Sequence, residues 1–145
     1  MKRICKRISI FLVVLALLNS SIGVAFAISA DTMRSSPTLN AYSASLKQGS
    51  TAGKITVSFD VAANRQATSL GVSSLKIYKA DGSYVTTIYG TTNNGLITTQ
   101  NFRYISLYTY TGTSGTSYYA EVTVFATIDG VTDSRTVTTN TVKAP

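Results

Sequence analysis

The run Tyr118-Tyr119-Ala120-Glu121-Val122-Thr123-Val124-Phe125-Ala126-Thr127-Ile128 decides the fold class. Tyr118, Ala120, Val122, Val124, Ala126 and Ile128 fall on one face of an extended chain, with Glu121, Thr123 and Thr127 on the other. Successive side chains of a strand point to opposite faces, so this period of two predicts a strand with one buried face. A helix needs apolar residues three and four apart, and no stretch after residue 27 keeps that spacing beyond a turn. Asp129-Gly130 follows at once. That dipeptide accepts positive φ in a tight hairpin, and it predicts a return strand over Thr132–Val142.

The same pattern recurs upstream. In Lys54–Ala62, Ile55, Val57, Phe59 and Val61 face one way and Thr56, Ser58 and Asp60 the other. In Ser73–Lys79, Leu75 and Ile77 point inward and Lys76 and Tyr78 outward, before Asp81-Gly82 turns the chain into Tyr84–Tyr89. Asn93-Asn94-Gly95 precedes Phe102–Tyr110, and Gly112 to Gly115 mark the loop before Tyr118. With a first strand over Leu39–Lys47, these segments predict a seven-stranded antiparallel β-sandwich over residues 39–145, with a small β-barrel as the alternative. No internal repeat divides it, so one domain is expected.

The N-terminus reads differently. Lys2, Arg3, Lys6 and Arg7 form a basic start, Ile8–Leu18 is apolar apart from Ser9, and Val24-Ala25-Phe26-Ala27 has the small residues of a cleavage site. These three parts define a secretory signal peptide over 1–27, with a second cut available after Ala30. Its apolar stretch of about 11 residues is too short to span a bilayer, which takes about 20. Residues 28–38 are small and polar and read as a flexible lead-in. No second apolar segment appears toward Pro145, so no membrane anchor is expected after cleavage, and the expected location is extracellular. Of 13 basic residues four lie in the leader, leaving nine scattered ones against six acids, a net charge of about +3. Scattered charge of that size makes no phosphate-binding stripe, and nucleic acid is not an expected partner. Cys5, the single cysteine, lies in the leader, so the domain is expected to hold together by its core rather than by disulfides.

Gly115-Thr116-Ser117-Tyr118, its alternating strand and the Thr-rich closing strand resemble the last two strands of fibronectin type III and related immunoglobulin-like domains. The resemblance implies that Tyr118 forms a tyrosine corner, its hydroxyl bonded to nearby backbone. The chain has no tryptophan and no cysteine pair, which those families use in their cores. The layout of leader, polar lead-in and one Thr/Ser/Tyr-rich β domain also resembles small secreted proteins of Gram-positive bacteria with no assigned function.

The residue inventory argues against catalysis, and no cofactor or metal site is expected. The chain has no histidine and the domain no thiol, removing the commonest general base, the thiol nucleophile and the usual zinc ligands. Asp81 and Asp129 precede glycines in predicted turns, and Asp60 and Glu121 lie on outward faces. Asp129 and Asp133 are the nearest pair for a glycosidase, but they flank a tight turn. They are also too few for calcium, which takes six to eight oxygens. No G-x-S-x-G elbow is present, and Ser74 and Lys76 read as residues of an exposed strand rather than a dyad.

Aromatic residues carry the remaining signal. In Phe102–Tyr110, Ile105 and Leu107 share one face and Phe102, Tyr104, Tyr108 and Tyr110 the other. If the aliphatic face is the core, four rings line the outer surface, with Tyr78, Tyr84, Tyr119 and Phe125 on other outer faces. Such a surface suits recognition of a cell-surface protein or glycan. If the strand is inverted, the rings are core, and cross-strand aromatic and threonine pairs stabilise the sheet on their own account. The expectation is a secreted, non-catalytic binding or adhesion module. A structural or self-associating secreted protein is the alternative, since strands rich in Thr and Tyr with few charges leave edges poorly protected.

Overall fold

A computed structural model describes residues 36–145. The expected signal peptide and residues 28–35 of the lead-in lie outside the described residues. The chain forms seven strands, β1 (Leu39–Gln48), β2 (Lys54–Lys79), β3 (Tyr84–Tyr89), β4 (Ile97–Thr111), β5 (Ser117–Ile128), β6 (Val131–Thr138) and β7 (Val142–Lys143). All pairings are antiparallel and all belong to one sheet. Instead of the two separate sheets expected of a sandwich, this single sheet curls into a half-barrel.

The curl originates in β2. Lys54–Ala62 and Ser73–Lys79, expected as separate strands, are the two ends of one 26-residue strand. Its first half lies between β1 and β4, and its second half pairs with β5 on one side and β3 on the other. Between Ala62 and Ala67 the register against β4 jumps, with five steps along β2 matched by two along β4, from Arg103 to Asn101. Extra residues on one strand bend it and increase its twist. Here the bulged residues Asn64, Arg65 and Gln66 point into solvent. This polar triplet is the outside of a corner.

Both halves of β2 send alternate residues to one interior. Ile55, Val57, Phe59 and Val61 from the first half and Leu70, Val72, Leu75 and Ile77 from the second are buried. Ala120, Val122, Val124 and Ala126 of β5 and Leu46 of β1 join them. The inward set read from period two in β5 is thus the buried set. Gly71 is fixed by the close crossing of the loop before β4. Its φ is +142°, and a Cβ there would lie 2.1 Å from the carbonyl oxygen of Leu96, whose oxygen accepts a bond from the Val72 N–H at 2.8 Å. Leu96 itself is fully buried.

Two boundaries differ from expectation. Ser36, Pro37 and Thr38, read as lead-in, are strapped to the domain: the Asn64 amide donates to the carbonyls of Ser36 and Pro37 at 3.0 and 3.1 Å, and the Thr38 hydroxyl donates to the Ala126 carbonyl at 2.9 Å. The strand expected over Thr132–Val142 is split into β6 and β7, because Thr139 and Asn140 are diverted. Thr139 Oγ1 accepts the Ala120 N–H at 3.0 Å, and the Asn140 amide pairs with both backbone groups of Leu46 in β1, each at 3.0 Å.

Replacing Gly71 with alanine forces a side chain into disfavoured backbone and against Leu96. Gly71→Ala is expected to lose ~1–3 kcal/mol or more in urea unfolding, and an unchanged midpoint would contradict the crossing described for this loop.

Candidate functional site

The strand that sequence reading singled out is the inverted one. Tyr104, Tyr108 and Tyr110 of β4 pack against the core, while Ile105 and Leu107 stand 62% and 64% exposed on the outer face. Tyr104 meets Phe59 edge-on at 5.8 Å and donates its hydroxyl to the Gly95 carbonyl at 2.8 Å. Tyr110 meets Tyr118 edge-on at 6.1 Å, and burial pushes its phenol pKa up. The physical reason is the shape of the half-barrel, whose open rim has to be filled by large side chains that remain partly wet. Tyrosine does this, with an apolar body inward and a hydroxyl at the boundary, where an aliphatic residue would end without a partner. The four-ring outer surface expected from the first orientation is therefore not formed by Tyr104, Tyr108 and Tyr110.

Phe102 alone of the four is outward, at 67% exposure. Two exposed residues in a row, Phe102 and Arg103, interrupt period two at this end of the strand. Gln100 has φ of +51°, opposite the corner of β2, and Asn101 Oδ1 accepts the Phe102 N–H at 2.9 Å. Phe102 and Arg103 are both exposed as a result. Phe102, Ile105 and Leu107 are thus the three large apolar side chains that β4 leaves exposed.

A groove of about 440 Å³ adjoins the first of these, lined by Asn40, Ala41, Asp60, Ala62, Ala63, Phe102 and Arg103. Three alanines leave the hollow, Phe102 forms an aromatic wall, and Arg103 grips Asp60 with Nε–H and Nη2–H at 2.9 and 2.5 Å. The Arg103 hydrogen bond holds the Asp60 carboxyl below its ordinary pKa of 3.8, against a smaller desolvation effect. An ion pair so fixed presents oriented polar groups to a ligand beside an apolar wall. That is an arrangement for binding.

A second aromatic group lies on the outer face of the other half. Tyr78 stacks on Tyr119 at 5.2 Å and 10°, meets Tyr84 edge-on at 5.9 Å, and donates its hydroxyl to Glu121 at 3.1 Å. Burial, and secondarily Glu121, raises the Tyr78 pKa. Hydroxyl pairs continue the ladder between β5 and β6, Thr123 with Thr136 at 3.1 Å and Thr127 with Thr132 at 2.8 Å. These residues satisfy one another, as cross-strand pairs do.

Tyr118, only 2% exposed, accepts the Thr113 N–H on its hydroxyl at 2.9 Å. The chain passes close above it, since a Cβ on Gly112 would lie 2.6 Å from that oxygen. All five carboxylates among the described residues are engaged. Besides Asp60 and Glu121, Asp129 pairs with Arg65 at 2.6 Å, and Asp133 pairs with Arg135 at 2.5 Å and accepts the Ser36 hydroxyl. Asp81 Oδ1 accepts the Ser83 N–H at 2.8 Å in its turn. No group of three metal-ligating side chains occurs among the described residues.

No protein-family model, curated protein or solved structure matches the chain. The functional reading therefore rests on the geometry of this surface.

Asp60 and Asp133 both have carboxyl pKa values depressed in the fold, Asp60 mainly by Arg103 and Asp133 mainly by the Ser36 hydroxyl. A depressed folded pKa stabilises above the unfolded value and is lost as pH falls through the folded one. Urea midpoints are expected to hold from neutrality down to about pH 4 and to fall on further acidification. The double variant Asp60→Asn, Asp133→Asn should be less stable at neutrality and show a shallower acid limb. An acid limb as steep as the wild type's would contradict the assignment to these two carboxylates.

Proposed function

We infer that the chain is a secreted, non-catalytic β domain that works outside the cell as a binding or adhesion module. Its contact surface is the outward side chains Phe102, Ile105 and Leu107 with the adjoining groove. One observation carries this reading: three large apolar side chains, each close to two-thirds exposed, lie together on one strand of the described domain. Exposed hydrophobic residues scattered singly are normal, whereas three within six residues of one strand, the first of them walling a polar-rimmed hollow, point to an interaction site. The partner's chemistry follows from the lining. Phe102 covers an apolar face, of a side chain or a sugar ring, and Asn40, Asp60 and Arg103 supply hydrogen bonds to groups at its edge.

Secretion is supported by the basic start, apolar stretch and small-residue cleavage site of residues 1–27. Kinship with immunoglobulin-like or fibronectin type III domains is supported by the bond that Tyr118 receives from Thr113, which is of the tyrosine-corner kind.

Retention on cell-wall or glycan material tests the surface. The triple variant Phe102→Ser, Ile105→Ser, Leu107→Ser is expected to bind at least tenfold more weakly. Its unfolding midpoint should stay within about 0.5 kcal/mol per exposed site. Retention equal to the wild type's would overturn the reading. N-terminal sequencing of the released protein should begin at Ile28, or at Asp31 if the second cut is used. An intact Met1 on cell-internal protein would overturn the export reading.

A further inference from the structure

The outer face of β4 lies beside a second feature, the strand's own edge. Over Arg103–Thr111, β4 pairs with β2 on one side and has no strand partner on the other among the described residues. Along these nine residues, a length of roughly 30 Å, alternate residues turn their N–H and C=O groups to the free side, a template for another strand. The remaining edges are protected in recognisable ways. Asn140 occupies both backbone groups of Leu46 on β1. β6 carries Asp133 and Arg135, and β3 is six residues long. β4 has no proline and no lysine, and its one charge, Arg103, is committed to Asp60 within the same sheet. None of the usual devices against edge pairing is present on it.

We propose that the free edge of β4 is the pairing surface for a second copy of this chain, joined antiparallel about a two-fold axis through Ser106. The proposal rests on the reading of Phe102, Ile105 and Leu107 as a contact surface, and makes the adhesion homophilic.

The sequence of β4 singles out this register. With the axis at Ser106, Ile105 of one copy lies opposite Leu107 of the other, twice, on the outer face. Tyr104 lies opposite Tyr108, twice, on the inner face. Arg103 meets Thr109, so no like charges oppose each other. A two-residue relative slip, with the axis at Ile105, sets Arg103 against Leu107, and a slip the other way sets Ile105 against Thr109. Only the central register matches both aliphatic pairs, and cross-strand apolar pairs are the unit of sheet stabilisation. A two-fold axis perpendicular to the sheet keeps the two outer faces on one side. The product is a continuous six-stranded layer, β1-β2-β4 followed by the second copy's β4-β2-β1. Main-chain bonds supply affinity in such augmentation, and side-chain matching supplies the register.

The naturally processed protein tests this by sedimentation over a concentration series. Its average mass is expected to rise toward twice that of the monomer, and Leu107→Lys should weaken association at least tenfold while leaving the unfolding midpoint unchanged at dilutions where the wild type is monomeric. Thr136→Lys, on the outer face of β6, should associate like the wild type. Since Cys5 is the chain's single cysteine and lies in the leader, Ser106→Cys places one thiol on the axis. Mild oxidation should link it to its own copy in much higher yield than Thr136→Cys. A protein that stays monomeric at every concentration, or association that survives Leu107→Lys, would overturn self-pairing. A monomer that still loses retention on cell-wall material in the triple serine variant would leave the contact surface standing with a different partner. Loss of neither property would remove both.

Discussion

Continuity of β2 through its corner is the constraint on which the rest of the domain depends. Four of the other six strands pair with it directly, and β6 and β7 attach through β5. One backbone of 26 residues thus lies in both halves of the curled sheet, and its alternate side chains face a single interior from two directions. This geometry removes the need for disulfides. Burying an aliphatic or aromatic side chain contributes ~1.5–3 kcal/mol, and the two ends of β2 together bury eight such residues between Ile55 and Ile77. The same bend explains the local oddities. The exposed triplet at 64–66, the left-handed Gln100 across from it and the outward Phe102 are consequences of one strand turning while its neighbour follows with fewer residues.

Much of this was legible in the sequence because burial on one face writes a period of two wherever a strand is regular. The inward sets of Lys54–Ala62, Ser73–Lys79 and Tyr118–Ile128 are the buried sets. Four things were not legible. Asn64-Arg65-Gln66 has the composition of a connection, and composition does not distinguish a loop from the solvent side of a bulge. The orientation of Phe102–Tyr110 could not be read because both faces are apolar there. Aliphatic residues are the more apolar choice for a core, yet the wet rim of a half-barrel favours tyrosine. Phe102 departs from its own strand's alternation through backbone conformation at Gln100, which no side-chain pattern records. The split of the Thr132–Val142 run was not legible because Thr139 and Asn140 spend their side chains as backbone partners for neighbouring strands, which a Thr-rich composition does not record.

The proposed contact surface follows from what the fold leaves outside. Tyr78, Tyr84 and Tyr119, on the half formed by β3, the second part of β2 and β5, pack ring on ring. The Tyr78 hydroxyl is on Glu121 and the Tyr84 hydroxyl on Thr87, and threonines of β5 and β6 bond in pairs. The outer face of β4 has no such closure: Ile105 and Leu107 lie across from Asp60 and Ser58, which offer them no apolar cover. The described residues satisfy their polar groups completely, with no buried side-chain nitrogen or oxygen lacking a partner, yet β4 leaves an aliphatic pair and a phenyl ring in water.

The most direct test of the bent strand is native-state hydrogen exchange along β2. Amides from Val57 to Ile77, apart from the solvent-facing corner at 64–66, should exchange together at the free energy of global unfolding. Exchange of the 54–62 and 73–79 ends at two distinct and lower free energies would show two separable strands, and would contradict a single backbone shared by both halves of the sheet.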